Sequence, residues 1–271
     1  MKIKLVTFAD GSRHWRDAAR RLSKQARKSG CFSEVEVWTL ARLQREREDF
    51  WVKNKDLLLP HVKGFGFWLW KPFIILDALT DPQADYDLLV YLDAGCTLNL
   101  SNPASMKRFN EYCHLAHQND GLAFQLRDQT ERAWNKMDTI LAVGADEAAL
   151  SSNQLVAGIS MFRRSSYSSE IVEKWLMLSL AQNYHLLDDT PSTAPNSEVF
   201  ISHRHDQSIW SLLVKKSSFA ILPDETYFGG AWSGQALNFP FLATRNSTGF
   251  TSLSQGFWWK LARRLTRTLR R

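Results

Sequence analysis

Apolar and polar residues follow two periodic patterns along the first fifty positions, one typical of strands and one typical of helices. Residues 2–8 alternate and are rich in β-branched side chains, which predicts a strand. Residues 15–28 place Trp15, three alanines and a leucine on one helical stripe, with arginine and lysine elsewhere, which predicts a helix. Residues 34–40 predict a second strand, and the charged residues 40–49 predict a second, exposed helix. This strand–helix–strand opening is typical of a parallel α/β sheet.

Later segments extend the same pattern. The apolar run at residues 88–92 predicts a buried strand, and further strands are predicted at residues 121–126, 155–162 and 219–222. Helices are predicted at residues 72–79, 169–182 and 206–215, the first of them with Pro72 in its opening turn. Residues 187–196 and 229–250 are rich in loop-forming residues and predict irregular segments.

The composition is that of an ordinary folded domain with many aromatic residues. The chain has 271 residues, of which 44% are hydrophobic and 23% charged, so one large domain or a domain with a small appendage is expected. It contains eleven tryptophans and sixteen phenylalanines. Most of these rings are expected in the core, and a few are candidates for stacking on the C–H faces of a sugar.

The net charge of +6 belongs to the end of the chain. Residues 256–271 contain six lysines and arginines and no acid, whereas the other 255 residues carry 28 basic and 28 acidic groups. A neutral main domain offers no basic groove, so nucleic-acid binding is not expected. We therefore divide the chain into a catalytic domain at residues 1–250 and a basic amphipathic tail at residues 251–271.

The tail combines its charge with an apolar stripe. Phe257, Trp258, Leu261, Leu265 and Leu269 fall near one helical face, and the arginines fall mostly off that face. This pattern predicts a helix that lies in an anionic membrane interface. A solvated basic terminus, or a helix packed on the domain, is the alternative.

Cysteine usage and the N-terminal residues favour the cytoplasm. Cys31, Cys96 and Cys113 are too few and too scattered for a disulfide framework or a zinc motif. The first residues predict a strand rather than a signal peptide, and no stretch has the length of a membrane-spanning helix. Together with the tail, these features predict a cytoplasmic protein that is peripheral on the inner face of the cell membrane.

The clearest chemical signal is an aspartate at the end of a hydrophobic strand. Asp93 directly follows the apolar run at residues 88–92. In open α/β sheets ligands bind at the carboxyl ends of the strands, and a carboxylate there can hold a divalent cation against a diphosphate. The alternative is that Asp93 only caps the next turn.

Two further segments carry polar residues next to predicted elements. His203, Arg204, His205, Asp206 and Gln207 stand together at a helix start, where Asp206 is either part of a site or an N-cap. The two histidines have metal-ligand spacing, but on a helix they would not share a face. In the third segment, residues 153–162, a glycine lies within the apolar strand and either admits a ligand or is needed for packing.

These three segments, in this order, resemble motifs of the retaining GT-A glycosyltransferases of the glycogenin and bacterial galactosyltransferase type. The chain resembles still more a group of bacterial sugar transferases that have a WLWKP segment and a YLDAGC segment. In the better-known family a YLDxD motif holds manganese and the donor diphosphate, and residues 91–95 match it through the first aspartate. Residues 157–162 resemble the family's second motif, and Asp206-Gln207 resembles its third. The resemblance covers roughly residues 2–216.

The resemblance implies a GT-A (Rossmann-like) α/β fold with a mixed, mostly parallel sheet flanked by helices. It also implies a nucleotide-sugar donor as co-substrate and a divalent cation, Mn or Mg, bound by Asp93. The expected roles fall into three sets: catalytic Asp206 and Gln207; donor-binding Thr7, Lys71, Asp93, Ala94, Gly95 and Gly158; and acceptor-binding Trp68, Trp70, Trp134 and His205.

The chain departs from the family pattern at the metal. Gly95 stands where the family has its second acidic residue, and no histidine follows His205 to match the family's late metal ligand. Three arrangements stay open. Asp93 holds a cation with water and phosphate, His203 or His205 contributes, or basic residues such as Lys71 neutralise the phosphates instead.

The function expected from these residues is transfer of a hexosyl or N-acetylhexosaminyl group to a glycan or lipid-linked acceptor. Retention of configuration is favoured; in an inverting reaction Asp206 would be the base. Bacterial lipopolysaccharide or surface polysaccharide synthesis is the expected setting. The alternatives are a non-catalytic glycan- or nucleotide-binding protein on the same scaffold, and a sugar-phosphate transferase that releases a nucleoside monophosphate.

Overall fold

The computed structural model describes residues 1–246, and the predicted tail at residues 251–271 lies outside them. The described strands are β1 Ile3–Phe8, β2 Glu34–Trp38, β3 Leu88–Leu92, β4 Thr97–Leu98, β5 Gly121–Thr130, β6 Asn153–Leu155, β7 Ile159–Arg163, β8 Ala220–Pro223 and β9 Phe241–Leu242. The helices are α1 Arg13–Ser29, α2 Leu40–Glu46, α3 Glu48–Asn54, α4 Gly64–Phe67, α5 Trp70–Thr80, α6 Pro103–Gln118, α7 Glu131–Trp134, α8 Met137–Val143, α9 Glu147–Ser151, α10 Ser166–Leu180 and α11 Asp206–Val214, with a 3-10 turn at Gly234–Asn238.

The main sheet has the order β2-β1-β3-β7-β5-β6, with β8 paired to β5. Strands β1, β2 and β3 pair in parallel, and so do β5 and β8, whereas β7 runs antiparallel to both β3 and β5. Five strands of this sheet therefore point one way, and β6 and β7 point the other. This confirms the predicted fold class, a Rossmann-like α/β fold with a mixed, mostly parallel sheet that is consistent with GT-A.

The sheet is buried on both faces, which explains the unbroken apolar run of β3. Leu89 and Tyr91 pack into a cluster with residues of α5, α10 and α11. Leu88, Val90 and Leu92 point to the opposite face and pack with α1 and α6. Because side chains alternate along a strand, a strand covered on both faces is apolar at every position.

Two predicted elements differ from the structure, and one long helix was not predicted. The helix expected at residues 40–49 divides into α2 and α3 at Arg47, whose φ of −138° is not helical. The strand expected at residues 155–162 is interrupted at residues 156–158, between β6 and β7. Helix α6 was not predicted, although Asn102 caps it by accepting from the Ser105 amide and Pro103 occupies its first turn.

None of the helices within residues 1–246 is long and apolar enough to cross a lipid bilayer.

Candidate active site

A cavity of about 620 Å³ lies at the carboxyl ends of β1 and β3. Since these strands are parallel, the residues that follow them meet at one edge of the sheet. The first turns of α5 and α11 and the interruption at residues 156–158 reach the same edge. Most of the predicted site residues line this cavity, namely Trp68, Trp70, Lys71, Asp93, Ala94, Gly95, Gly158, His205, Asp206 and Gln207.

The floor of the cavity holds a cluster of one lysine and two aspartates. Lys71 Nζ lies 2.6 Å from Asp206 Oδ2 and 3.6 Å from Asp93 Oδ1. The side chains of Lys71 and Asp206 are 3% and 5% exposed, whereas that of Asp93 is 43% exposed. Lys71 therefore joins a buried carboxylate to one that faces the open cavity. We call these three residues the charge cluster.

Burial and ion pairing act in opposite directions on the charge cluster. Burial by itself would lower the pKa of Lys71, but the charges of Asp206 and Asp93 outweigh it and raise that pKa above its ordinary value. Burial raises the pKa of Asp206 to about 6, although the charge of Lys71 pulls it down. The lysine is therefore charged at neutral pH, and its charge is already compensated by protein carboxylates.

Asp93 is held on both sides by its neighbours. The Tyr91 hydroxyl donates to Asp93 Oδ1 at 2.6 Å, and burial beside this carboxylate raises the pKa of Tyr91, so the phenol keeps its proton. The Asp93 amide donates to the Gly158 carbonyl at 2.8 Å. A Cβ at position 158 would lie only 2.5 Å from Asp93 Oδ2. A side chain at position 158 would therefore require the Asp93 carboxylate to move.

Gln207 is oriented by a chain of buried amides. Its Nε2 donates to Gln154 Oε1 at 2.9 Å, and Gln154 Nε2 donates to the Trp134 carbonyl at 3.1 Å. Gln154, the middle residue of this chain, is fully buried. The Trp175 indole donates to the Asp206 carbonyl at 3.0 Å and fixes the start of α11. Both predicted catalytic residues are thus held by hydrogen bonds to fully buried residues, Gln154 and Trp175.

One side of the cavity is an aromatic wall made of Phe8, Phe65, Trp68 and Trp70. Phe8 and Trp70 stack with centroids 3.8 Å apart, and the Trp70 indole donates to the Gly64 carbonyl at 2.9 Å. Trp70 is 4% exposed, so it supports the wall more than it offers a free face. Trp68 is the more accessible of the two predicted acceptor-binding tryptophans.

The chain that carries this wall has an uncommon backbone. Residues 64–68 all have positive φ, including 54° at Phe65 and 62° at Trp68. Left-handed backbone costs about 1–2 kcal/mol for each residue with a side chain. The Trp68 ring also packs where a Cβ of Gly64 would stand, only 2.5 Å away. Strain of this kind is concentrated at ligand sites in folded proteins.

The two histidines of the second motif anchor the chain between α10 and α11. His203 Nε2 donates to the Leu186 carbonyl at 3.0 Å and its Nδ1 accepts from the Lys136 amide at 3.3 Å. His205 Nδ1 donates to the Leu187 carbonyl at 2.9 Å. Burial lowers the pKa of both imidazoles, so both are neutral at pH 7. His205 Nε2 is buried and lies 3.5 Å from Asp189 Oδ1, and the His205 ring contacts the Trp68 ring.

Two predicted site residues are absent from the cavity wall. Thr7 is fully buried within β1, and the wall begins one residue later at Phe8. Trp134 does not line the cavity, and the Arg204 guanidinium lies 5.2 Å from the centroid of its ring. Trp134 therefore supports an arginine of the cavity instead of lining the cavity itself.

Several wall residues were not predicted as site residues. Trp15, interpreted above as part of a core stripe, is 39% exposed and lines the cavity. Arg245 also lines it, from a segment after β9 that was predicted only as irregular. Arg21 is buried and donates to the carbonyls of Ala94 and Cys96 at 3.0 and 2.8 Å, which shapes the turn after Asp93. No local sequence signal marks these residues, because each reaches the site through tertiary packing.

The residues present do not match a typical divalent-cation site. Within residues 1–246 no group of three or more His, Cys, Asp or Glu side chains is arranged to hold a metal ion. Asp206 pairs with Lys71, and each histidine of the motif donates one ring N–H to a backbone carbonyl. Asp93 is left as the only member of the predicted metal motif with a carboxylate.

No protein-family model matches the chain, and no curated protein sequence matches it either. Among solved structures it is similar to a glycosyltransferase involved in the glycosylation of the major capsid of PBCV-1, at 10% identity and a TM-score of 0.45, over 96% of this chain and 100% of that chain. It is also similar to mouse xyloside xylosyltransferase 1 in its apo form, at 10% identity and a TM-score of 0.43, over 84% of this chain and 87% of that one.

A third similar structure is 4-diphosphocytidyl-2C-methyl-D-erythritol synthase from Anaerococcus prevotii DSM 20548. Its identity to this chain is 14% and the TM-score is 0.36, over 79% of this chain and 98% of that one. All three likenesses are distant, and the fold class given above follows from the sheet topology of this chain itself.

Proposed function

We propose that this protein transfers a glycosyl group from a nucleoside-diphosphate sugar to a hydroxyl group of a glycan or glycolipid. The observation that carries the proposal is the charge cluster beneath an aromatic wall at the carboxyl edge of the sheet. Carboxylates suit a sugar ring, since they accept hydrogen bonds from its hydroxyl groups and stabilise positive charge at the anomeric carbon. The cavity of about 620 Å³ is of a size that holds small-molecule ligands.

In this reaction the bond between the anomeric carbon and the diphosphate oxygen breaks, and its electron pair stays on the diphosphate. The anomeric carbon bonds to the acceptor oxygen, and the acceptor proton passes to the departing diphosphate. Asp206 and Gln207 would position the sugar, and Asp93 would face the donor. The ion pair between Asp206 and Lys71 supports retention, because it leaves Asp206 a poor candidate for a free base.

The donor class is tested by incubating the full chain with nucleotide sugars of each common nucleoside and measuring the released nucleotide. We expect release of one nucleoside diphosphate that increases with a suitable acceptor. Asp206→Asn should reduce kcat more than it raises KM, because the residue acts at the reaction centre. Release of a nucleoside monophosphate would instead identify a sugar-phosphate transferase. Binding without turnover by any donor would identify a non-catalytic protein.

The finer assignment extends to the acceptor and its location. The transferred group would be hexosyl or N-acetylhexosaminyl, and the acceptor would be lipid-linked at the inner face of a bacterial cell membrane. The basic amphipathic residues 251–271 support this location. The corresponding setting is lipopolysaccharide or surface polysaccharide synthesis. Each basic residue near an anionic surface contributes on the order of 1 kcal/mol to binding. The full chain should therefore co-sediment with anionic liposomes at low salt, and a chain ending at Ser254 should not. Equal binding by the two would remove the tail from the proposal.

A further inference from the structure

Two arginines of the cavity lack the acidic partners that the other cavity cations have. Lys71 is paired with two carboxylates, and Lys63 lies 3.7 Å from Asp189 Oδ2. Neither Arg204 nor Arg245 forms an ion pair with any carboxylate among the described residues. Their hydrogen-bond and ring contacts are instead with neutral groups, although the charge of Asp206 also acts on Arg204.

Arg204 is held in place from two directions. Its Nη1 donates to Gln129 Oε1 at 2.9 Å, and its guanidinium lies 5.2 Å from the centroid of the Trp134 ring. Arg245 lies 5.9 Å from the centroid of the Tyr227 ring. Both guanidinium-bearing residues line the same cavity. Burial and the charge of Arg245 lower the pKa of Arg204, although the charge of Asp206 acts to raise it. Two like charges in one partly buried cavity repel each other unless an anion binds between them.

The backbone of Arg245 also packs against Gly95, the position at which the resembled family has its second acidic residue. A Cβ at Gly95 would lie 3.2 Å from Arg245 Cα and 3.4 Å from its carbonyl carbon. The Asn246 amide and the Thr244 hydroxyl both donate to the Gly95 carbonyl, at 2.8 and 2.9 Å. This segment is therefore fastened to the turn that follows Asp93, and a larger side chain at position 95 would displace it.

We propose that Arg204 and Arg245 bind the diphosphate of the donor, and that this chain binds a nucleoside diphosphate without a divalent cation. The inference rests on the proposed function, because it concerns the same cavity and the same donor. Guanidinium groups bind phosphate oxygens through two parallel charge-assisted hydrogen bonds, which gives them both strength and direction. The same two charges would stabilise the electron pair left on the diphosphate when the glycosyl bond breaks. Lys71 does not serve in this way, because Asp206 and Asp93 already neutralise it.

The test is calorimetric titration of the full chain with ADP, CDP, GDP and UDP, once with EDTA and once with Mg²⁺ or Mn²⁺. We expect one of these nucleotides to bind in EDTA. Arg204→Gln and Arg245→Gln should each weaken that binding about tenfold or more, as expected for the loss of a charge-assisted hydrogen bond. The affinity for the corresponding nucleoside, which has no phosphate and is measured by competition, should be the same in the variants as in the parent. The nucleotide affinity of Arg245→Lys should lie between those of the parent and Arg245→Gln, since lysine keeps the charge but lacks the planar guanidinium group.

The matched control is Arg20→Gln, which removes an exposed arginine of α1 that pairs with Asp17 outside the cavity. Each variant is first checked for the parent's unfolding temperature, so that a binding loss is not a folding loss. Binding that requires Mg²⁺ or Mn²⁺ and survives both glutamine substitutions would overturn the inference and leave the donor class standing. A parent chain that binds none of the four nucleotides, with or without the cations, would overturn both the inference and the proposed function.

Discussion

Asp93→Asn should lower kcat about a hundredfold or more, as removal of a preorganised charged group at a reaction centre does. The side chain is 43% exposed in the cavity, and one of its oxygens accepts from the Tyr91 hydroxyl at 2.6 Å. Asparagine keeps the size and can still accept that hydrogen bond, so the unfolding temperature should hardly change. The measurement is steady-state kinetics with the donor identified by nucleotide release, beside a thermal unfolding curve.

The control for this variant is Asp128→Asn, an exposed aspartate of β5 that does not line the cavity. It makes the same chemical change far from the charge cluster and should leave kcat and KM at the parent values. Kinetics of Asp93→Asn within a few-fold of the parent, at equal thermal stability, would rule out an active role for Asp93. Its carboxylate would then be only a cap of the turn that follows β3.

Lys71→Met should destabilise the fold as well as abolish activity. The substitution leaves the buried Asp206 carboxylate without its cation, and breaking a buried ion pair in this way costs about 3–5 kcal/mol of the free energy of unfolding. Lys24→Met, an exposed lysine of α1, is the matched control and should be close to neutral. Chemical denaturation at neutral pH measures the free energy of unfolding of both variants.

The loss of stability in Lys71→Met should depend on pH. Burial already raises the pKa of Asp206 to about 6, and removing the lysine raises it further, because the lysine was the group lowering it. A carboxyl group whose pKa is higher in the folded than in the unfolded chain favours folding below its unfolded pKa. That contribution is lost as the pH rises through the folded value. The variant should therefore lose less stability at pH 5 than at pH 8.

A second substitution separates stability from chemistry in the charge cluster. Lys71→Met/Asp206→Asn removes the buried charge pair together, so most of the stability lost in Lys71→Met should return. Activity should stay absent, because both groups are proposed to serve the site. Recovery of activity along with stability would show that the pair is only structural. Equal stability of Lys71→Met and the parent at pH 8 would show that the pair does not stabilise the fold.

The sequence by itself determined the α/β class and several of its strands and helices, because the periodicity of a strand or helix is a local property. The alternation in β1, the stripe of α1 and the apolar run of β3 each depend on a few neighbouring residues. The position of Asp93 at the end of an apolar strand placed it at the ligand edge of the sheet, and the resemblance to the glycosyltransferase motifs placed Asp206 in the same site. The prediction of one continuous strand at residues 155–162 was partly wrong, because the strand is interrupted before Ile159. Gly158 lies in this interruption, close to the Asp93 carboxylate.

Only the tertiary structure decided which charges are free. From the sequence, Lys71 was a candidate for the phosphates, but the fold places it 2.6 Å from the Asp206 carboxylate and so neutralises it. Arg204 and Arg245 stand far apart in the chain, and both line one cavity because the segment after β9 hydrogen-bonds to the turn at Gly95. Burial and long-range contacts set the net charge that a ligand encounters, and neither is a property of any short stretch of sequence.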